Sequence, residues 1–208
     1  MLDVGAYTGI FSIAASVRYP SLTVHAFEIV PAVVRLLGQN VERNDLQGRV
    51  HIHGFGIGKP DTAIRMPAGD QGSALPSFYS SKTRFARGID VPFEPLDALV
   101  PWFDSSTRIL MKVDVEGTEN DVFRFGREFL RIFAPDVLCE VLYGVADAEA
   151  LSSLLDPHGY LYYLIEQRSL LPMTALHPDR LYRDWLITRR DAASLRRSGI
   201  AVSDRSLA

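Results

Sequence analysis

The chain has 208 residues, of which 47% are hydrophobic and 23% are charged, so it contains enough apolar material for a sizeable folded core. Its 22 Lys and Arg residues nearly balance its 25 Asp and Glu residues, which argues against nucleic acid or a membrane surface as the main partner. One cysteine, Cys139, excludes an internal disulfide, and we expect it to be a buried strand residue without a redox role. Because neither a signal peptide nor a membrane-spanning run is visible, we expect a cytoplasmic protein.

Strand and helix patterns alternate along the chain. Short apolar runs predict strands at 2–4, 22–27, 50–53, 109–115, 137–141, 160–165 and 185–188. Helical spacing of apolar residues predicts helices at 10–19, 32–44, 121–133 and 147–155. Strands separated by helices favour an α/β fold with a mainly parallel sheet.

Two stretches interrupt this alternation. Residues 68–88 carry Gly, Ser, Pro and isolated aromatic residues without periodicity, which fits either a functional lid or an ordinary exposed loop. Residues 168–208 contain eight arginines, four aspartates and no lysine or glutamate. This composition favours a last strand followed by a solvated basic tail over a partner-binding arm. We therefore expect one domain at 1–190 and a basic tail at 191–208.

The first functional motif lies where the first two predicted strands end. Gly5 and Gly9 flank a turn into a predicted helix, whose N-terminal amides favour an anionic ligand group. Glu28 ends the second strand, and its distance along the chain from the turn suits a carboxylate that accepts hydrogen bonds from both ribose hydroxyls. The pair predicts a cofactor that contains adenosine.

The residues between the glycines favour one such cofactor. A dinucleotide fingerprint needs glycine where this chain has Tyr7 and Ile10, and the chain has no P-loop. S-adenosylmethionine has no phosphate, and it offers a carboxylate to the turn, a ribose to Glu28 and positive charge to Asp3. It is the better chemical match, while a glycine turn and a surface glutamate without any ligand remain the alternative. On this interpretation Glu28→Ala should weaken cofactor binding and affect folding little.

The fourth long strand carries ionisable residues at alternating positions. Lys112, Asp114 and Glu116 are predicted to lie on one side of an otherwise apolar strand. Three such groups are costly to bury unless they pair with one another or serve a site. The pattern therefore indicates either a functional site or a structural lysine–carboxylate network.

Together these residues resemble a known family. The series D-V-G-A-Y-T-G (3–9), A-F-E (26–28) with Pro31, N-V-E-R-N (40–44), K-V-D-V-E-G-T-E (112–119) and C-E-V (139–141) is similar to the FkbM family of S-adenosylmethionine-dependent methyltransferases. The resemblance implies a class I methyltransferase, Rossmann-like three-layer fold whose seven-stranded, mostly parallel sheet has an antiparallel last strand. It also implies methyl transfer to a hydroxyl, or less often another heteroatom, of a small metabolite, polyketide or sugar.

The resemblance also implies roles in cofactor binding and in catalysis for individual residues. The candidates for binding S-adenosylmethionine are Asp3, Gly5, Ala6, Tyr7, Gly9, Glu28, Ile29, Phe55, Gly56 and Asp114. Catalytic candidates, beside the transferred methyl, are Asp114 as general base, Glu116 as second choice and Lys112 as the cation that keeps a carboxylate charged. Glu140 and Ser73 are candidates for the pocket of the small-molecule acceptor.

Two departures from the family pattern leave alternatives open. The family usually has asparagine where this chain has Tyr7, so a polar contact to the cofactor is either lost or made by the phenol. Family members usually carry a segment ahead of the first strand, whereas this sequence starts at that strand. We expect either that its start is truncated or that the substrate cover comes from elsewhere, with the loop at 68–88 as the candidate. A non-catalytic S-adenosylmethionine-binding protein is therefore the second hypothesis, and an NAD(P)-dependent oxidoreductase is the third.

A metal site is not predicted. His51 and His53 share a strand face, but no third ligand is evident in the sequence. We interpret them as residues of the sheet edge or of the cofactor wall.

Overall fold

The structure, a computed structural model, describes residues 1–67, 88–144, 147–178 and 181–205. The chain divides into two units, Met1–Pro95 and Leu96–Ala208. Each unit has its own strands and helices.

The first unit begins with alternating strands and helices. Its elements are β1 (Leu2–Val4), α1 (Ile10–Arg18), β2 (Val24–Phe27), α2 (Pro31–Arg43) and β3 (Val50–His53). The strands lie in the order β1-β2-β3, and both pairs are parallel. Each predicted element is present, with ends that differ from the predicted ones by up to two residues.

The core of this unit follows from the spacing of its apolar residues. Val33, Leu37 and Val41 recur every four residues along α2, and all three are buried. They belong to the face of the helix that the hydrophobic effect directs inward, and Leu37 and Val41 share one core cluster with Val24 and Val50. Pro31 occupies the first turn of α2, where its missing N–H has no helical partner to lose.

A small three-stranded sheet follows, which the sequence did not reveal. It contains β4 (Gly56–Ile57), β5 (Ala63–Pro67) and β6 (Gly88–Glu94) in the order β4-β6-β5. Its strands are short and lie beside the irregular stretch, so no period-two pattern stands out. The predicted loop 68–88 lies outside the described residues except for Gly88, which begins β6.

The second unit contains most of the antiparallel pairing. Its elements are a 3₁₀ helix (Leu96–Trp102), β7 (Leu110–Val113), α3 (Glu119–Arg124), α4 (Arg127–Phe133), β8 (Asp136–Glu140), α5 (Ala148–Leu155), a 3₁₀ turn (Asp156–His158), β9 (Leu161–Ile165), β10 (Leu170–Met173), β11 (Asp184–Thr188) and α6 (Ala192–Arg197).

The strands of this unit lie in the order β7-β8-β11-β9-β10. β7 and β8 are parallel, whereas β11 runs antiparallel to both β8 and β9. The predicted α/β class, with mainly parallel strands and an antiparallel last strand, is confirmed. The strand count differs, because β10 adds an unpredicted antiparallel strand beside β9.

The helix predicted at 121–133 is two helices. The chain breaks between α3 and α4 at Phe125 and Gly126, where a Cβ on Gly126 would meet Leu96 and the carbonyl of Val122. Asp97 Oδ1 accepts the N–H of Phe129 at 2.8 Å, so a distant carboxylate caps the start of α4. Capping by a residue distant in sequence leaves no local signal, which explains the missed break.

The predicted tail at 191–208 is not a solvated arm over its described part. Asp191 caps α6 by accepting the N–H of Ser194, and Leu195 is fully buried. Arg196 donates to the carbonyl of Val202 at 3.0 Å, and it also pairs with Asp204. The arginine-rich composition therefore serves local packing at these positions.

The structure also bears on Cys139 and on membrane-spanning helices. Cys139 is buried, as predicted, and burial raises the pKa of its thiol well above the ordinary range. Among the described residues, no helix combines the length and hydropathy that a bilayer crossing requires.

Gly9→Ala tests whether the turn before α1 needs glycine. Gly9 has φ +87°, and a Cβ there would overlap Leu37 Cδ1. We expect a loss of about 2 kcal/mol in the free energy of unfolding, measured with urea, because the left-handed backbone alone costs about 1–2 kcal/mol with a side chain. Gly48→Ala is the matched control, since no atom lies within 4 Å of its Cβ position. Equal stabilities of the two variants would contradict this account.

Candidate functional site

The glycine turn of the first unit is a run of left-handed backbone. Gly5, Tyr7 and Gly9 have φ of 82°, 50° and 87°. Glycine adopts this conformation without strain, whereas tyrosine does so at a cost. Asparagine is the non-glycine residue that tolerates it best, which gives a backbone reason for the family's usual residue at position 7.

Most amides of this turn are already bonded within the unit. The N–H groups of Gly5 and Ala6 both donate to the carbonyl of Phe27, at 3.0 and 2.9 Å, and Gly9 N–H donates to the carbonyl of Ala6 at 2.9 Å. An anionic ligand group would instead meet the first turn of α1, whose amides have no partner within the helix. The predicted anion site therefore shifts from the amides of the glycine turn to the amides in the first turn of α1.

Glu28 is the most heavily bonded side chain of this region. One carboxylate oxygen accepts Tyr7 N–H at 2.9 Å, and the other accepts the N–H groups of Ile29 and Val30, both at 2.8 Å. Burial raises the pKa of Glu28, although these three hydrogen bonds oppose the shift. A carboxylate offers about four acceptor positions, so room for a ribose hydroxyl remains.

This geometry corrects the expectation that loss of Glu28 would affect folding little. The side chain was expected to pack against little at the end of its strand, yet Glu28 is only 7% exposed. Its carboxylate holds the glycine turn to the start of α2.

Asp3 lies beneath the turn. It is fully buried, and Ser12 Oγ donates to its Oδ2 at 2.6 Å, which ties β1 to α1. Its contact with a positively charged cofactor group stays a prediction. Ser12 itself was not predicted, because a lone serine within a helix gives no signal.

Aromatic rings cover one face of β2 and β3. The His53 ring stacks on Phe27 with centroids 4.7 Å apart, and Phe55 meets Phe27 edge-on at 5.4 Å. His25 Nδ1 lies 3.1 Å from His53 Nε2, and burial is the main cause that lowers the pKa of His25 to about 4. These imidazole and phenyl rings form an aromatic cluster, whose partly exposed members His53 and Phe55 suit contact with an adenine ring.

The remaining cofactor candidates of this unit are less accessible. Ala6 is 5% exposed, and Gly56 is buried where a Cβ would overlap the ring of Phe93. Ile29 is half-buried and donates its amide to Glu28. Backbone groups, rather than side chains, are what these three positions can offer.

The polar and aromatic groups of the first unit fit S-adenosylmethionine. Helix amides suit a carboxylate, Glu28 suits a ribose hydroxyl, and the aromatic cluster suits a base. Tyr7 occupies the position at which a dinucleotide fingerprint needs glycine.

The second unit contains a cluster of carboxylates at the carboxyl ends of β7 and β8. Lys112 Nζ lies 3.0 Å from Asp114 Oδ2, so this predicted pair is present. Oxygen atoms of Asp114, Glu116 and Glu140 all lie within 4.8 Å of one another. The structure therefore brings together the four ionisable residues that the sequence singled out here.

Glu116 reaches the cluster through a turn, and not through the strand alternation that was predicted. Strand β7 ends at Val113, and Glu116 has φ 55°, so the alternation along an extended strand does not continue to it. A tight turn carries its carboxylate back toward Asp114.

Burial and like charges together raise the pKa values of two carboxyl groups in this cluster. Burial, followed by the charge and hydrogen bond of Asp114, raises the pKa of Glu140 to about 7. The same two causes, burial and then Asp114, raise the pKa of Glu116, while Arg183 and Lys112 oppose that shift. A pKa of about 7 lies in the range that suits a general acid or base near neutral pH.

The spacing of these three carboxylates would also accommodate a cation. Among the described residues, this is the group of ligand-type side chains close enough to share one ion. Lys112 already supplies a positive charge there, and acidic clusters are common without a metal.

One predicted residue is not described by the structure, and three residues near the carboxylate cluster were not predicted. Ser73 lies outside the described residues, so its role at the acceptor pocket stays a prediction. Glu119, Arg183 and Asp184 were not predicted. Glu119 is part of the D-V-E-G-T-E motif and is 2% exposed, a position at which carboxylates are rare.

The family model that matches this chain is the methyltransferase FkbM domain, over residues 3–162. Methyltransferase 1 from Beauveria bassiana is 25% identical over 178 residues, which make up 77% of this chain and 71% of that protein. Cobalt-precorrin-6B C(15)-methyltransferase (decarboxylating) from Salmonella typhimurium is 51% identical over a stretch of 43 residues, which is 21% of this chain and 22% of that protein.

The fold is similar to a solved structure. The crystal structure of methyltransferase FkbM from Methylobacillus flagellatus KT aligns with 90% of this chain at a TM-score of 0.55 and 18% identity. The alignment covers 42% of that chain, so this chain spans less than half of that protein's length. The likeness shows the class I, Rossmann-like methyltransferase fold.

Glu28→Ala should lower both stability and cofactor affinity. Removal of the carboxylate leaves three backbone N–H groups without their acceptor, so we expect a loss of about 2–4 kcal/mol in the free energy of unfolding. Binding of S-adenosylhomocysteine should weaken by about 1.5–3 kcal/mol, measured by calorimetry on the folded fraction. Glu42→Ala, which removes an exposed carboxylate of α2, is the control. Unchanged stability with unchanged affinity would remove Glu28 from both roles.

Proposed function

This chain belongs to the FkbM methyltransferase domain family, and from that premise we propose that it transfers a methyl group from S-adenosylmethionine to a hydroxyl of a small metabolite, polyketide or sugar. The observation that carries the proposal is the Glu28 carboxylate, which holds the glycine turn through Tyr7 N–H at 2.9 Å and keeps acceptor capacity for a ribose.

The first unit supplies the binding residues in this proposal. The first-turn amides of α1 would receive the carboxylate of the cofactor, and Glu28 would accept a ribose hydroxyl. The partly exposed rings of His53 and Phe55, backed by the buried ring of Phe27, would pack against the adenine. When bound, S-adenosylmethionine supplies a methyl group on a sulfonium, which is already an activated electrophile.

The second unit supplies the proton chemistry. A hydroxyl nucleophile gains from a general base, which typically contributes about 10²–10⁴-fold. Asp114, paired with Lys112, would accept the hydroxyl proton, and Glu140, whose carboxylate oxygen lies within 4.8 Å of that of Asp114, would share it. Glu116 adds negative charge that favours proton uptake by the group.

One observation supports a second candidate function. Tyr7 occupies a left-handed position at φ 50° with a bulky side chain that is 42% exposed, in place of the family's usual asparagine. A non-catalytic protein that binds S-adenosylmethionine would tolerate this change. Cofactor binding without methyl transfer to any of a broad panel of hydroxylated acceptors would favour that function.

Asp114→Asn separates catalysis from stability. Asparagine has nearly the same shape but does not take a proton, so we expect turnover to fall by about 10²-fold while binding of S-adenosylhomocysteine is kept. Turnover is measured as S-adenosylhomocysteine formed with an acceptor from the panel, and stability as the melting temperature. Asp104→Asn, at an exposed position of the same unit, is the control. A large loss of stability with normal turnover per folded molecule would contradict a catalytic role.

A further inference from the structure

The turn that follows β7 is strained. Glu116 and Gly117 have φ of 55° and 104°, so two consecutive residues adopt left-handed backbone. Glycine does this freely, but glutamate does not. Thr118 Oγ1 donates to the carbonyl of Val115 at 3.2 Å, which closes the turn on one side. The strain at Glu116 persists only if the surroundings hold the turn in place.

A second force also acts to open this turn. The carboxylate oxygens of Asp114, Glu116 and Glu140 lie within 4.8 Å of one another, and like charges at this distance repel. Asp184 lies opposite Glu140 in the β8–β11 register and adds to the negative charge. Lys112 and Arg183 offset it in part. Without restraint, Glu116 would relax toward solvent and leave the cluster.

Glu119 supplies the restraint from the buried side. Its side chain is 2% exposed, and its Oε1 accepts Gly117 N–H at 3.0 Å. The backbone of Val115 and of Glu119 itself also favours the ionised form of this carboxylate and so opposes the rise of its pKa. The hydrogen bond from Gly117 N–H anchors the residue that directly follows Glu116. Burial of a carboxylate is costly, so its retention here requires these partners.

We propose that Glu119 is a positioning residue, whose buried carboxylate holds the turn at 115–118 so that Glu116 stays beside Asp114 and Glu140. Glu119 acts through the backbone and does not touch the reacting groups. Its relevance to catalysis rests on the proposed function, since that function assigns proton transfer to the cluster.

The titration of Glu140 reports whether Glu116 is in place. Asp114, Glu116 and Asp184 are charges that raise its pKa. Glu119 interacts electrostatically with Asp114, so the effect of losing the Glu119 charge has to be separated from the effect of losing the turn. Glu119→Gln removes the charge but keeps an acceptor, and its comparison with Glu119→Ala makes that separation. Carboxyl ¹³C NMR of the labelled protein, followed against pH, measures the midpoint.

We expect the Glu140 midpoint to fall by a few tenths of a pH unit in Glu119→Ala, because Glu116 moves away. Glu119→Gln keeps a carbonyl that can accept Gly117 N–H, so its midpoint should stay near that of the wild type. Asp147→Ala, which removes the cap of α5 in the same unit, controls for general loss of stability and should leave the midpoint unchanged. An unchanged midpoint in folded Glu119→Ala would overturn the proposal.

A second measurement covers the case in which Glu119→Ala does not fold. The hydrogen bond predicts that the Gly117 amide of the wild-type protein exchanges with solvent at least tenfold more slowly than an open turn amide. Exchange at the unprotected rate would overturn the proposal. Neither measurement uses cofactor or acceptor, so failure of the proposed methyl transfer would leave these readouts unaffected, and the two failures are distinguishable.

Discussion

A buried carboxylate that accepts backbone N–H groups organises the functional region of each unit. In the first unit, Glu28 bonds Tyr7 N–H, and in the second, Glu119 bonds Gly117 N–H. Each carboxylate holds a turn that contains a non-glycine residue with positive φ, either Tyr7 or Glu116. Desolvation raises the pKa of both carboxylates, and the amide hydrogen bonds offset part of that cost. The shape of both turns therefore depends on charges that the fold has to keep buried.

This dependence links stability to the proposed chemistry. A turn held only by apolar packing would relax around a strained residue, whereas several hydrogen bonds to one carboxylate fix its backbone. In the first unit the fixed turn leads into the first amides of α1. In the second it keeps Glu116 beside Glu140, whose pKa of about 7 suits proton transfer near neutral pH. Substitution of the holding carboxylate should therefore affect function even where it touches no ligand.

The sequence predicted the elements whose signal is local and periodic. Helix α2 was found because its apolar residues recur every four positions, and the ionisable residues after β7 were found because a strand rarely carries three. The break before α4 was missed because Asp97 caps that helix from a distant position. Glu119 was missed as a functional residue because burial of a carboxylate is not visible in a motif. Long-range partners and backbone φ angles are what sequence patterns do not encode.

The central claim is that the first unit binds a cofactor with a ribose and a carboxylate but no pyrophosphate. Calorimetric titration of the wild-type protein with S-adenosylhomocysteine, and separately with NADPH, tests it directly. The account predicts saturable binding of S-adenosylhomocysteine with one site per chain, and no binding of NADPH at the same concentrations, because Tyr7 occupies the position where a pyrophosphate needs glycine. Binding of NADPH without binding of S-adenosylhomocysteine would contradict it.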